Sequence, residues 1–102
     1  ADAKDELTQN FVKKYEDKYG ETPNQFAADA YDAVYAIKAA AEAADLKPDM
    51  SVSKMCEAMK TSMTTISIDG LTGADMSWTA SGEPNKEPKA VEIVNGSYSL
   101  KE

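Results

Sequence analysis

The apolar residues of this chain change their spacing once, close to Met63. Up to that point they recur every three or four residues, which is the period of an amphipathic helix. Beyond it they alternate with polar residues, as in Thr65-Ile66-Ser67-Ile68, which is the period of a strand. At 102 residues the chain is one domain at most. The sequence therefore predicts a helical part followed by a strand part, in the α/β class.

Three helices are predicted in the first part, at about 4–19, 24–43 and 52–62. Gly20 follows the first helix at the position of a left-handed C-cap. Asn24 precedes the second helix as a candidate N-cap, and Ser51 or Ser53 has the same place before the third. Local signals thus mark an end or a beginning for each predicted helix.

The second predicted helix has a broad apolar face. Helical geometry places six of its residues within an arc of roughly 100°; they are Phe26, Ala27, Ala30, Val34, Ile37 and Ala41. Tyr31 and Tyr35 flank this arc, and Asp29 and Asp32 are expected on the solvent side. We expect the arc to face the core, with its alanines allowing a sheet or another helix to approach closely.

Four short strands are predicted after the helices, at about 65–68, 75–79, 89–94 and 97–100. The last two are expected to pair across Asn95-Gly96, the strongest short-range signal for a hairpin. Such short pieces of sheet are marginally stable unless another surface covers them. The predicted elements therefore look like part of a larger structure.

Several classes of function find no support in the residues. The net charge of -7 and the absence of a clustered basic face argue against nucleic-acid binding. The chain has no histidine to serve as a catalytic base, and Cys56 is its single cysteine. Ser51 to Lys54 matches a serine–lysine motif, but a helix N-cap explains Ser51 better. No enzyme, metal site or cofactor is predicted.

Four segments, in order, resemble type I periplasmic solute-binding proteins of the branched-chain amino acid (Leu/Ile/Val) receptor group of ABC importers. A family helix reading FVxxYExxYG matches Phe11 to Gly20, and a following "fAAxxYDAv" helix matches Phe26 to Val34. A family segment "GxTGxixFdxxGxP" matches GLTGADMSWTASGEP, Gly70 to Pro84, and a last hairpin matches KAVEIVNGSYSL. Trp78 replaces the family's usual Phe, and Ser81 stands where Asn is frequent.

The resemblance implies a two-lobed protein about three times this length, in which this chain is the C-terminal part. Such a protein binds a small amino acid or amide between its lobes and presents it to an ABC permease. It implies an extracytoplasmic location, in the periplasm or lipid-anchored at the outer face of the cell membrane. It further implies a crossing between lobes near Gly70 to Gly73. The candidate ligand-binding residues are Phe26 and, beside it, Gln25.

A second interpretation treats the chain as a self-associating interaction module. The apolar helix faces would then drive formation of a homodimer. Phe26 would in that case be buried at the interface between the two copies. Under the first interpretation, its ring either contacts the ligand or packs as an ordinary core residue. The sequence alone leaves the two interpretations open.

Overall fold

The computed structural model describes residues 3–101, and it confirms three helices followed by a C-terminal hairpin. The elements are α1 (Glu6–Tyr19), α2 (Gln25–Ala43), α3 (Val52–Met63), β1 (Val91–Val94) and β2 (Ser97–Leu100). The predicted α/β class is therefore correct, although the sheet of the described chain has two strands only.

Side chains just before each helix fix where it begins. The Asn24 carboxamide accepts a hydrogen bond from the backbone N–H of Ala27 at 3.0 Å, and the Ser51 hydroxyl accepts one from Lys54. Asp5, which the sequence had not singled out, caps α1 in the same way. Gly20 ends α1 with a φ of 74°, in the left-handed region. The predicted caps at Asn24, Ser51 and Gly20 are confirmed.

The strands predicted at 65–68 and 75–79 are reduced to isolated bridges. Ile68 pairs with Met76, and Trp78 pairs with Pro84. Asp75 has a φ of 49°, which interrupts an extended run just before Met76. A ladder needs several consecutive extended residues. The turn from Gly70 to Gly73 and the positive φ of Asp75 interrupt the extended backbone, so Ile68 and Met76 form a single pair.

The core of the described chain lies where α2 meets α3 and the segment that follows α3. Its buried apolar residues are Ala36, Ala40, Ile66 and Met76. The Ser62 hydroxyl on α3 donates a hydrogen bond of 2.8 Å to the backbone oxygen of Ala40 on α2. Small residues on both helices let the two backbones approach closely at this point.

The prediction of which side of α2 is buried was wrong in this chain. Phe26, Val34 and Ile37 are 76%, 66% and 58% exposed, whereas Asp32 is only 5% exposed. Alanines, not the larger apolar residues, face α3, because the close approach of the helices leaves space for small side chains only. A carboxylate can be buried beside them when hydrogen bonds replace its contacts with water. The helix thus has two apolar faces, one packed and one exposed.

The hairpin joins residues across the expected turn. Val91 pairs with Leu100 and Val94 with Ser97, in antiparallel register. Asn95 and Gly96 have φ values of 51° and 80°, as a type I′ turn requires. The first strand begins at Val91, two residues later than predicted.

Aromatic rings connect the first two helices. The ring of Phe11 on α1 lies 5.1 Å from that of Tyr31 on α2, measured between centroids. Tyr15 and Tyr35 extend this contact along α1 and α2 respectively. Such aromatic pairs, at these distances and tilted angles, stabilise the fold by more than their buried area alone would.

Within residues 3–101, no helix is long and apolar enough to cross a membrane.

Candidate functional site

The two residues expected to bind ligand lie together in the first turn of α2. Gln25 is the first residue of the helix and Phe26 the second, directly after the N-cap Asn24. The Phe26 ring is largely exposed instead of packed in the core of the described chain. The backbone N–H groups of a first helical turn have no intrahelical partner. The position is open and apolar, with hydrogen-bond donors beside it, and ligand contact by Phe26 and Gln25 stays a prediction.

A buried carboxylate lies two turns further along the same helix. Asp32 accepts hydrogen bonds from the backbone N–H groups of Leu71 and Thr72, each at 2.8 Å. It also accepts one from the Thr72 hydroxyl at 2.6 Å. Oδ1 is bound by Leu71, and Oδ2 takes both donors of Thr72. Three donors compensate the carboxylate for the water it loses on burial. We call this set of hydrogen bonds the Asp32 contact.

Glycines on either side of Leu71-Thr72 allow the segment to come this close. A Cβ atom on Gly70 would lie 2.5 Å from Oδ1 of Asp32, which is closer than atoms can approach. A Cβ atom on Gly73 would lie 2.9 Å from the Cγ atom of Met76. The backbone N–H of Gly70 donates to the oxygen of Gly73 and closes the turn. The two glycines therefore serve close approach, and neither has a positive φ.

A cleft of about 140 Å³ lies beside the Asp32 contact, between α2 and residues 76–86. Its lining is Asp29, Asp32, Ala33, Ala36, Met76, Trp78, Pro84 and Lys86. At its edge the Lys86 ammonium lies 3.7 Å from an Asp29 carboxylate oxygen. Both partners are partly exposed, so the ion pair is weak. The cleft is shallow and mostly apolar.

The sequence raised Ser51 and Cys56 as candidates for chemistry. No group of three histidine, cysteine or acidic side chains within residues 3–101 is placed to hold a metal ion. The hydroxyl of Ser51 is engaged as a helix cap, and Cys56 is a free, exposed thiol.

Sequence reasoning missed the role of Asp32. It placed this residue on the solvent side because a helical wheel ranks faces by apolar content alone. The partners of Asp32 lie 39 and 40 positions away, which no local pattern reveals. One signal was present: Asp32 belongs to the Tyr-Asp-Ala segment and Thr72 to the Gly-Leu-Thr-Gly segment, both of which carry the resemblance. The structure shows that these two segments are in contact.

Comparison with protein-family models matches residues 1–97 to the periplasmic binding protein family. Because this match covers nearly the whole chain, the chain belongs to that family. A search of curated proteins finds no significant match.

Two solved structures share the fold. An ABC transporter substrate-binding protein from Desulfitobacterium hafniense is 19% identical, with a TM-score of 0.73 over 97% of this chain and 28% of that one. A protein from Rhodospirillum rubrum, described as a candidate branched-chain amino acid ABC transporter, is 28% identical. Its TM-score is 0.66 over 97% of this chain and 27% of that one. The chain thus spans under a third of either structure, and the first of them supports the fold alone.

Proposed function

We propose that this chain is part of an extracytoplasmic receptor that binds a small amino acid or amide and delivers it to an ABC permease. The observation that carries the proposal is the family match over residues 1–97. The similarity to the Rhodospirillum rubrum protein supports an amino acid as the ligand class. The location outside the cytoplasm follows from the family.

The exposed face of α2 supports a larger whole. Phe26, Val34 and Ile37 lie within about 80° of one another around the helix and expose their side chains. An apolar face of this kind marks a surface that another element covers. In a protein several times this length, the remaining part of the lobe would cover Val34 and Ile37. Phe26, in the first turn, would lie at the margin of that contact.

In this proposal Phe26 supplies an apolar wall of the ligand pocket, and Gln25 contributes polar contact beside it. The ring is at the helix end, where the first-turn N–H groups other than that of the capped Ala27, together with the positive end of the helix dipole, favour a carboxylate. An amino acid carries a carboxylate and a side chain that such a place could accommodate together. The chain alone should bind ligand poorly, because the facing lobe belongs to the rest of the protein.

A thermal-shift screen of the longer protein that contains this chain tests the proposal. The probes are L-leucine, L-alanine, L-glutamine and acetamide, with D-glucose as a control. A ligand present at 100 times its Kd stabilises the folded state by about 2.7 kcal/mol, which is easily seen as a rise in Tm. We expect at least one amino acid or amide to raise Tm and glucose not to. If none of the four raises Tm, this ligand class is wrong.

Self-association is a second candidate, because the same exposed face of α2 could pack against a second copy. The hairpin adds exposed apolar side chains at Ile93 and Tyr98. Sedimentation of the 102-residue chain over a range of concentrations would test it, with Ile37→Lys as the variant. A dimer that Ile37→Lys dissociates would support this candidate, and a monomer at all concentrations would exclude it.

A further inference from the structure

The segment of residues 69–86 has little regular structure, yet it lies against α2 through three contacts. Leu71 and Thr72 donate to Asp32 at one end. In the middle, Met76 is 1% exposed and lines the cleft together with Ala33 and Ala36 of α2, and at the other end Lys86 pairs with Asp29. Other hydrogen bonds of this segment, such as those between Ile68 and Met76, run within it or to its own flank. These hydrogen bonds would stay formed if residues 69–86 separated from α2.

The Asp32 contact is the strongest polar link among these. Its three distances are 2.6 to 2.8 Å and Asp32 is buried, whereas Lys86 and Asp29 are 3.7 Å apart and partly exposed. Hydrogen bonds to a buried carboxylate are about twice as strong as neutral ones, and exposed ion pairs contribute little. Met76 contributes apolar burial but does not define direction or register. Only the Asp32 contact fixes which backbone atoms of the segment meet the helix.

We infer that Asp32 is a positioning residue that holds residues 69–86 on α2 as a unit able to open separately from the helices. The contact between α2 and α3 rests on different groups, among them Ser62 and Ala40. Loss of the Asp32 contact should therefore release the segment and leave the helix pair intact. Such separate opening is the behaviour of a local cooperative unit. The inference concerns this chain itself and holds whether or not the whole protein binds an amino acid.

Amide hydrogen exchange, measured by NMR on the 102-residue chain, tests the inference with Asp32→Asn. The asparagine keeps the size of the side chain but can accept from fewer donors, and its own N–H₂ group faces a donor. We expect the amides of Leu71 and Thr72 to exchange about tenfold faster or more, because a lost charge-assisted hydrogen bond is worth at least that factor. The amide of Met76 should accelerate with them, and that of Ala40 should not.

Asp29→Asn is the matched control, since it neutralises the neighbouring acid on the same helix and leaves the Asp32 contact in place. It should leave exchange at Leu71 and Thr72 within about twofold of the unchanged chain. Two results would overturn the inference. Unchanged exchange at Leu71 and Thr72 in Asp32→Asn would mean that burial of Met76 alone holds the segment. Equal acceleration at Ala40 would mean that Asp32 supports the whole fold and no separate unit exists.

Thr72→Val provides a second variant in case Asp32→Asn does not fold. It removes only the hydroxyl that donates to Oδ2 of Asp32 and keeps both backbone donors. Exchange in residues 69–86 should rise by a smaller factor than in Asp32→Asn, with the helix amides unaffected. A uniform change across the chain, or none in this segment, would contradict the inference.

Discussion

Oδ1 of Asp32 lies 2.8 Å from the backbone nitrogen of Leu71, 39 positions further along the chain. This hydrogen bond joins α2 to a segment that contains no strand of the named sheet. It also joins two of the short motifs by which the chain resembles solute-binding receptors. The fold therefore depends at this point on a polar contact between distant residues, in addition to apolar packing.

Replacement of Asp32 by Ala should favour the opening of residues 69–86 by about 2–4 kcal/mol while the helices stay folded, because three donors are left without their acceptor and two of them belong to the backbone. Urea titration followed by the fluorescence of Trp78, which lies in this segment, measures the change, and circular dichroism reports whether the helices stay folded. Asp29→Ala is the control, and its effect should stay within about 0.5 kcal/mol since it removes only a long, exposed ion pair. Equal effects of the two variants would show that the hydrogen bonds of Asp32 add nothing specific.

Gly70→Ala should also favour the opening of residues 69–86, by about 1–3 kcal/mol, because the new methyl group collides with the carboxylate of Asp32. A shorter side chain at position 32 would make room, so Gly70→Ala should cost less in an Asp32→Ser background. The double-mutant cycle measures this coupling. Gly73→Ala is the comparison, and it should cost less because the atoms it meets belong to the flexible Met76 side chain. Strict additivity would argue against contact between positions 70 and 32.

Asp5 should make the stability of α1 depend on pH. Hydrogen bonds from the backbone and side chain of Thr8 lower the pKa of the Asp5 carboxyl below its usual value of 3.8. A depressed pKa contributes stability that is present above the unfolded value and is lost as pH falls through the folded value. Asp5→Ala should therefore cost about 1 kcal/mol near neutral pH and less at about pH 3 and below.

Thermal unfolding at both pH values checks this prediction, with Asp5→Asn as the control. The asparagine retains a neutral cap, so its stability relative to Asp5→Ala should change little with pH. A constant difference between Asp5 and Asp5→Ala at all pH values would show that the charged form of Asp5 has no special part in capping.

Local features of the fold could be predicted from the sequence. Asn24, Ser51 and Gly20 mark helix ends through hydrogen bonds and dihedral angles within a few residues, and Asn95-Gly96 does the same for the hairpin. The helix caps and the hairpin turn depend only on residues close together in the chain, so they can be predicted from a single sequence.

The packed face of α2 could not be predicted in the same way. Apolar content favoured Phe26, Val34 and Ile37, whereas the buried residues of α2 are Asp32 and the two alanines Ala36 and Ala40. A partner 39 positions away determines the burial of this carboxylate. The larger apolar residues of α2 are exposed in the described chain, and the sequence pattern alone does not say which of the two apolar faces is buried. The ligand contact predicted for Phe26 rests on the proposal that this chain is part of a longer receptor.

Calorimetric titration of the longer protein with an amino acid that raises its Tm tests the central claim most directly. The comparison is between Phe26→Ala and Val34→Ala, which lies two turns further along the same exposed face. If the ring of Phe26 lines the pocket, Phe26→Ala should weaken binding by about tenfold or more, while Val34→Ala lowers stability without changing affinity. Failure of the unchanged protein to bind any amino acid or amide would contradict the receptor function. Equal affinity of all three proteins would contradict the role assigned to Phe26.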